Sequence, residues 1–457
     1  MSQAVEKENK MGTMPIGKLL FSMALPMMVS MIVQALYNIV DSVFVARVSE
    51  DALTAVSLAF PIQNLMISVA SGTGVGINAL LSRSLGEKNY QNANRAAQNG
   101  LFVIVISALV FLLFGLFGTR PFFEMQTDNA VIAQGGIDYL SICAIFSIFS
   151  FGQVTFERLL QSTGRAFYSM ISQAVGAIAN IILDPIMIFG LFGFPKMGVA
   201  GAAVATVTGQ AIACCIGLFF NITKNHEISL NFRGFRPHGA IISQIYKVGV
   251  PSIVMMSIGS IMTLGMNAIL MGFSSTATAI FGVYFKLQSI AIMPVIGLNN
   301  ALVPIVAYNY GARNRKRITH TIKLAVASAV AIMLFFLAIF QIFPGQMLLL
   351  FDASEHMLSM GIPALRIISL SFIFAGFCII VGSVFQALGN GILSLIVSAA
   401  RQLVVLLPVA WLLSLTGEVN MIWWSFPIAE LASLLFSAFF MRYVYHKEIL
   451  PLDTPIK

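Results

Sequence analysis

Apolar residues run along this chain in stretches of about twenty, and polar residues collect in the short gaps between them. Twelve such stretches can be marked, at 17–45, 54–81, 95–119, 133–157, 166–191, 198–221, 242–271, 278–307, 319–343, 359–386, 391–414 and 420–445. Each is long enough to cross a hydrocarbon layer of roughly 30 Å at about 1.5 Å per residue. Backbone groups facing lipid must be satisfied within their own element, which leaves helices or a closed barrel. Barrel strands need only about ten residues, so runs this long predict helices. The expectation is an all-α polytopic membrane protein with twelve transmembrane helices.

Composition agrees with the pattern. The chain is 58% hydrophobic and 10% charged, with a mean hydropathy of +0.89, whereas soluble domains carry roughly 25% charged residues. A water-soluble fold is excluded. The net charge of +8 would fit a nucleic-acid partner, but its distribution explains it better. With the N-terminus in the cytoplasm, twenty of the twenty-six Lys and Arg fall in cytoplasmic loops, tails or helix ends, only Arg47, Arg120 and Lys196 fall outside, and Lys286, Arg366 and Arg401 lie within helices. That asymmetry places both termini in the cytoplasm of a multi-pass protein of the cell (inner) membrane. Small organic molecules and the lipid bilayer are the expected partners, with no nucleic acid and a monomeric state.

No short apolar region followed by a small-residue cleavage site opens the chain, so the first apolar segment is expected to stay as a membrane helix. Cys143, Cys214, Cys215 and Cys378 lie in apolar spans, where they read as small hydrophobes rather than as disulfides or a metal site.

The two halves resemble each other at a shift of 225 residues. Pro26 falls on Pro251, Gln63 on Gln288, Gly86 on Gly311, Asn89 on Asn314, Gln161 on Gln386 and Gly164 on Gly389. The loops SLGEKN and NYGARN follow the second helix of each half, and QSTG and QALG close the fourth. Two pseudo-symmetric six-helix lobes follow, 1–221 and 242–457, joined by a polar cytoplasmic linker at 222–241. An even number of helices per half starts both lobes on the same side, with the substrate path between them.

Carboxylates inside membrane helices cost several kcal/mol, so they usually face an interior cavity. Two stand out. Asp184 precedes Pro185 and follows Asn180 by four residues, which places amide and carboxylate on one helix face. Pro185 cannot donate to the Ile181 carbonyl, leaving an oxygen for an alkali cation, or a hinge. A kinked helix with a protonated Asp is the plainer reading. Asp41 ends the stripe Gln34, Asn38, Asp41, with Tyr37 adjacent; the plainer reading there is a helix end dipping into headgroups. By rise per residue Asp41, Asp184 and Thr206 reach the same depth in the outer half of the bilayer. Their oxygens suit Na⁺, and a proton can take the same place because burial favours the neutral carboxyl.

The second half lacks matching acids: position 266, equivalent to Asp41, is Met266. It carries Lys286, Arg401 and Glu430 within helices 8, 11 and 12, read either as a structural pair of Glu430 with one of the cations or as a coupling or substrate-binding group. Glu157 and Arg158 could pair at the cytoplasmic end of helix 4.

These marks together resemble the multidrug and toxic compound extrusion (MATE) family, and within it the DinF/MepA-like branch. The residues that carry the resemblance are LP at 25–26, SLGEKN, QSTGRAFYSM, NIILDPIMIFG, GVAGAAVAT, VPIVAYNYGARN and FPIAE, spread over nearly the whole chain. The resemblance implies two lobes about a central cavity, alternating access, bending of helix 1 near Pro26, and Na⁺ or H⁺ coupling through Asp41, Asn180, Asp184 and Thr206. Acids that another branch uses in helices 7 and 10 are missing.

The leading expectation is therefore a cation-coupled antiporter exporting amphipathic cationic compounds, with Gln34, Tyr37 and Asn38 in the substrate cavity, Pro26 and Pro185 as hinges and no cofactor beyond the coupling ion. The alternative is a flippase for lipid-linked precursors, which would want a basic cavity. An enzyme finds no support: the five histidines sit in loops or at helix ends without metal spacing.

Overall fold

The computed structural model describes residues 9–453 apart from Asp352. Among the described residues there is no β-strand. Among the described residues ten helices and two bent pairs are long and apolar enough to span a membrane. We number the spans α1 (Ile16–Ala46), α2 (Glu50–Gly86), α3 (Tyr90–Phe117), α4 (Ala130–Ile145 with Ser147–Ser162), α5 (Ala166–Phe189), α6 (Val199–Thr223), α7 (Gly239–Met271), α8 (Ser275–Gly311), α9 (Arg315–Ile342), α10 (Glu355–Ser369 with Phe372–Ala387), α11 (Gly391–Ser414) and α12 (Val419–Leu452). The fold is the expected all-α membrane bundle.

Two spans expected to be single helices, 133–157 and 359–386, are broken. α4 bends by 48° and α10 by 47°. Neither break contains proline, which is why apolar periodicity alone does not reveal it.

The breaks fall at equivalent places in the repeat, and so do finer details. Ser49 caps α2 by accepting from the Ala52 N–H, and Ser274 caps α8 by accepting from the Ala277 N–H. Asn89 and Asn314 cap α3 and α9 in the same way. The residues before those caps, Lys88 and Arg313, both adopt left-handed backbone, with φ of 57° and 55°. Gly164 and Gly389 do likewise after α4 and α10, at 82° and 87°. Equivalent caps and turns at one displacement mean that each half encodes the same chain reversals independently.

The halves meet through α1 against α8 and α2 against α7, contacts that the repeat exchanges, and through α2 against α8. Glycine permits the closest approaches. A Cβ on Gly76 would fall on the Ile245 carbonyl, and one on Gly311 on the Arg83 carbonyl. Both lie in the halves of these helices nearer the chain termini. Polar links join the same end: Arg158 donates to Asn300 at 3.0 Å, and Arg83 lies over the Tyr310 ring at 5.0 Å. The bundle is thus closed at its terminus-bearing end. α6 ends at Thr223, and the following connection lies along α3, where the Ser229 and His238 N–H groups donate to Asn94 and Asn99.

Candidate functional site

Small residues set the geometry of the first half. On α6, a Cβ at Gly201 would stand 2.5 Å from the Met187 carbonyl, and one at Gly209 would stand 2.7 Å from the Gly176 carbonyl and 3.0 Å from the Asn180 Cβ. α5 and α6 therefore pack backbone to backbone, as small-residue stripes allow. Thr206 is carried against Asn180 as a result. The Asn180 amide donates to Asp184 Oδ2 at 3.1 Å and its carbonyl accepts from the Thr206 N–H at 3.0 Å, the orientation that satisfies both ends. The Thr206 hydroxyl lies 3.3 Å from the same amide. Asp184 is fully buried.

α1 completes the cluster. Asp41 and Asp184 are near enough to repel one another. Tyr37 stands beside Asp41 with its hydroxyl on Thr206 and within the field of Asp184. Asp41 Oδ1 is buried and has no hydrogen-bond partner among the described residues, a costly arrangement for a carboxylate that nothing neutralises. Two carboxylates, a hydroxyl and a phenol make an oxygen-rich environment, steadied by the Asn180 amide, that fits a small hard cation or a proton. Among the described residues no group of three or more His, Cys, Asp and Glu is placed to hold a metal ion.

A cavity of about 200 Å³ lies beside this cluster. Gln34, Tyr37 and Asn38 line it, with Asn180, Thr206, Glu157 and Arg158, while among the described residues Asn300 alone comes from the second half. Asp41 and Asp184 do not line it. Tyr37 and Asn180 form the partition, meeting the carboxylates on one side and the cavity on the other, and Thr206 on the cavity wall is tied to both of them. Gln173 donates to the Gln34 side chain and ties α5 to α1 at the wall. Glu157 accepts from Gln153 at 3.0 Å, and Arg158 turns away to Gln161 and Asn300, at 2.9 and 3.0 Å. Pro26 and Pro185 both lie inside continuous helices.

In the second half Arg401 meets Glu430 at 2.9 Å. Arg401 sits in a π-helical segment, Ala400–Leu406, that interrupts α11, and lines a separate cavity of about 270 Å³ with Asn299, Gln386, Ser398 and Gln402. Lys286 is elsewhere: it is exposed and its ammonium lies 5.9 Å from the Phe351 ring centroid. The three charges thus do not form one cluster. Sequence reasoning passed over Gln63, Tyr139 and Cys143, which back the acidic cluster; Gln63 donates to the Tyr139 hydroxyl at 3.0 Å. Gln63 carried a signal, since the repeat pairs it with Gln288. Tyr139 carried none. All four cysteines are free.

Two repeated six-helix halves around polar cavities within a membrane bundle are the architecture of a carrier. The chain matches the MatE family over residues 26–186 and again over 251–412, segments displaced as the repeat is, and it belongs to that family. It is 28% identical to the multidrug export protein MepA of Staphylococcus haemolyticus and 26% identical to that of Staphylococcus aureus strain MRSA252, over 91% of each chain. A solved structure described as the outward-facing conformation of a multidrug resistance MATE family transporter of the MOP superfamily overlays with a TM-score of 0.91 at 24% identity, covering 98% of this chain and 99% of the other.

Proposed function

We propose that this carrier is an antiporter that exports amphipathic organic cations from the cytoplasm, driven by Na⁺ or H⁺ entering at Asp41, Asn180, Asp184 and Thr206. The observation that carries this reading is the partition: Tyr37 and Asn180 face both the carboxylates and the cavity, and Thr206 on the cavity wall is tied to both of them. A cation between Asp41 and Asp184 would cancel their repulsion and draw α1 toward α5. Tyr37 and Gln34 would move with α1 and change the cavity that holds substrate. A ligand shifts access only by binding one state better, and here ion and substrate compete through shared walls. Pro26 and Pro185 give α1 and α5 places to bend, since each removes a backbone hydrogen bond. Of the two charges on the cavity wall, Arg158 is held by Gln161 and Asn300, which leaves the Glu157 carboxyl as the group to meet a cationic substrate.

Closure at the terminus-bearing end corresponds to the outward-facing state, with both termini cytoplasmic in the inner membrane. The flippase alternative wants a free basic cavity. Arg401 instead gives its charge to Glu430, and Lys286 lies apart.

The test is drug efflux from proteoliposomes under separately imposed Na⁺ and H⁺ gradients, for the wild type, Asp41→Asn and Asp184→Asn. We expect gradient-driven efflux to be lost in both variants while folding is retained. Undiminished efflux in both would remove the carboxylates from the coupling step.

A further inference from the structure

The QSTGRAF motif closes α4, yet the transport site uses none of its Gly164–Arg165 corner. At this corner the chain turns at Gly164, which no side chain could replace without strain, since φ is 82° and a Cβ would stand 3.1 Å from Lys10 Cε. Lys10 begins a single helical turn, Lys10–Thr13, ahead of α1. Two cations from distant parts of the sequence thus share one corner. The Arg165 Nε–H is buried without a partner among the described residues. Both side chains border a cavity of about 860 Å³, together with Thr163, Tyr168, His226 and Glu227. Among the described residues of its lining, Glu227 is one carboxylate set against these two cations. Burial first, and then the neighbouring Arg165 guanidinium, hold the Lys10 ammonium below its ordinary pKa.

The second half shows what a self-sufficient corner looks like. Asn390 stands where the repeat places Arg165, and it donates to Glu448 at 2.7 Å. That corner is internally satisfied; the Lys10–Arg165 corner is left with positive charge and an unused donor, the arrangement that recognises a phosphate.

The turn that bears Lys10 also bridges the lobes. Asn9 donates to the Thr163 carbonyl at 3.1 Å on the first half. On the second half, Asn309 donates to the Met11 carbonyl at 3.1 Å and Arg317 to the Met11 and Met14 carbonyls at 2.9 and 2.8 Å.

We infer that the cavity between Lys10 and Arg165 binds a phosphate group, presented by an anionic lipid headgroup or by a soluble phosphate, and that its occupancy fastens the N-terminal turn to both lobes. The bound anion relieves the repulsion between the two cations and favours the state closed at this end.

Two probes separate the sources. Native mass spectrometry of the full-length protein counts phosphatidylglycerol retained against phosphatidylcholine, and equilibrium dialysis measures radiolabelled inorganic phosphate. Binding of phosphatidylglycerol alone identifies the headgroup; binding of inorganic phosphate alone identifies a soluble anion. In either arm, Lys10→Gln and Arg165→Gln are expected to weaken binding at least about tenfold and Arg165→Lys much less. Lys10 precedes the first membrane helix, so Lys10→Gln decides the matter should Arg165→Gln fail to fold. Equal binding by wild type and variants, or no binding of either probe to the wild type, overturns the inference.

Discussion

Asn180 and Asp184 stand one turn apart on α5, and the amide of the first donates to the carboxylate of the second at 3.1 Å while its carbonyl accepts from Thr206 on α6. One side chain therefore holds the acid and ties it to the next helix. Hydrogen bonds to charged groups contribute about 1.5–3 kcal/mol, so Asn180→Ala should weaken ion binding by roughly tenfold or more, at about 1.4 kcal/mol per tenfold. The measurement is the concentration of Na⁺, or of H⁺, giving half-maximal efflux in proteoliposomes. An unchanged half-maximal concentration for both ions would show that Asn180 does not position the site.

The approach of α6 to α5 is set at Gly209, where a Cβ would crowd both the Gly176 carbonyl at 2.7 Å and the Asn180 Cβ at 3.0 Å. Overpacking a helix interface costs about 1–3 kcal/mol. Gly209→Val should lower the thermal midpoint and, by pushing Thr206 away from Asn180, reduce coupled efflux more than drug binding. Gly193, whose Cβ would meet nothing within 4 Å, supplies the control position; its φ of 84° makes asparagine the suitable replacement there.

The membrane helices, their pairing by repeat and the polar residues of α1 and α5 were legible in the sequence because lipid imposes a strict rule on long segments. Asp184 announces itself by being an acid in an apolar run. The bends in α4 and α10 were not legible, since neither carries a proline or a polar gap at the break. Nor was the isolation of Lys286: a cation placed mid-helix by sequence has a long stem, and its direction toward Phe351 depends on tertiary packing. Tyr139 was hidden for a similar reason, being an ordinary aromatic until Gln63 is brought to it.

Arg401 and Glu430 make a test of whether a membrane ion pair is structural. Glu430 is 7% exposed and Arg401 33%, at 2.9 Å. Breaking a buried pair costs about 3–5 kcal/mol, and screening at the exposed guanidinium brings the expectation to about 2 kcal/mol. Glu430→Gln should lower the thermal midpoint, and Glu430→Gln combined with Arg401→Gln should recover part of the loss. Efflux per folded molecule is expected to stay near wild type. A double variant no better than the sum of the singles would show that the two side chains are not energetically linked.

Arg158 reaches from α4 across the closed end to Asn300 on α8 at 3.0 Å, while Gln161 holds the same nitrogen at 2.9 Å from its own helix. The bond between lobes can therefore be removed without stranding the guanidinium. Asn300→Ala takes away one charge-assisted hydrogen bond, about 1.5 kcal/mol at the lower end of the usual range, and should shift the population about tenfold toward opening at the terminus-bearing end. A cysteine at Gln153, which lines the cavity, reports this in a background where Cys143, Cys214, Cys215 and Cys378 are replaced. In inside-out vesicles, a membrane-impermeant maleimide should label it faster when Asn300 is alanine. In right-side-out vesicles it should label more slowly, because the two openings draw on one equilibrium. Equal acceleration from both sides would mean that the substitution loosens the bundle instead of tipping it.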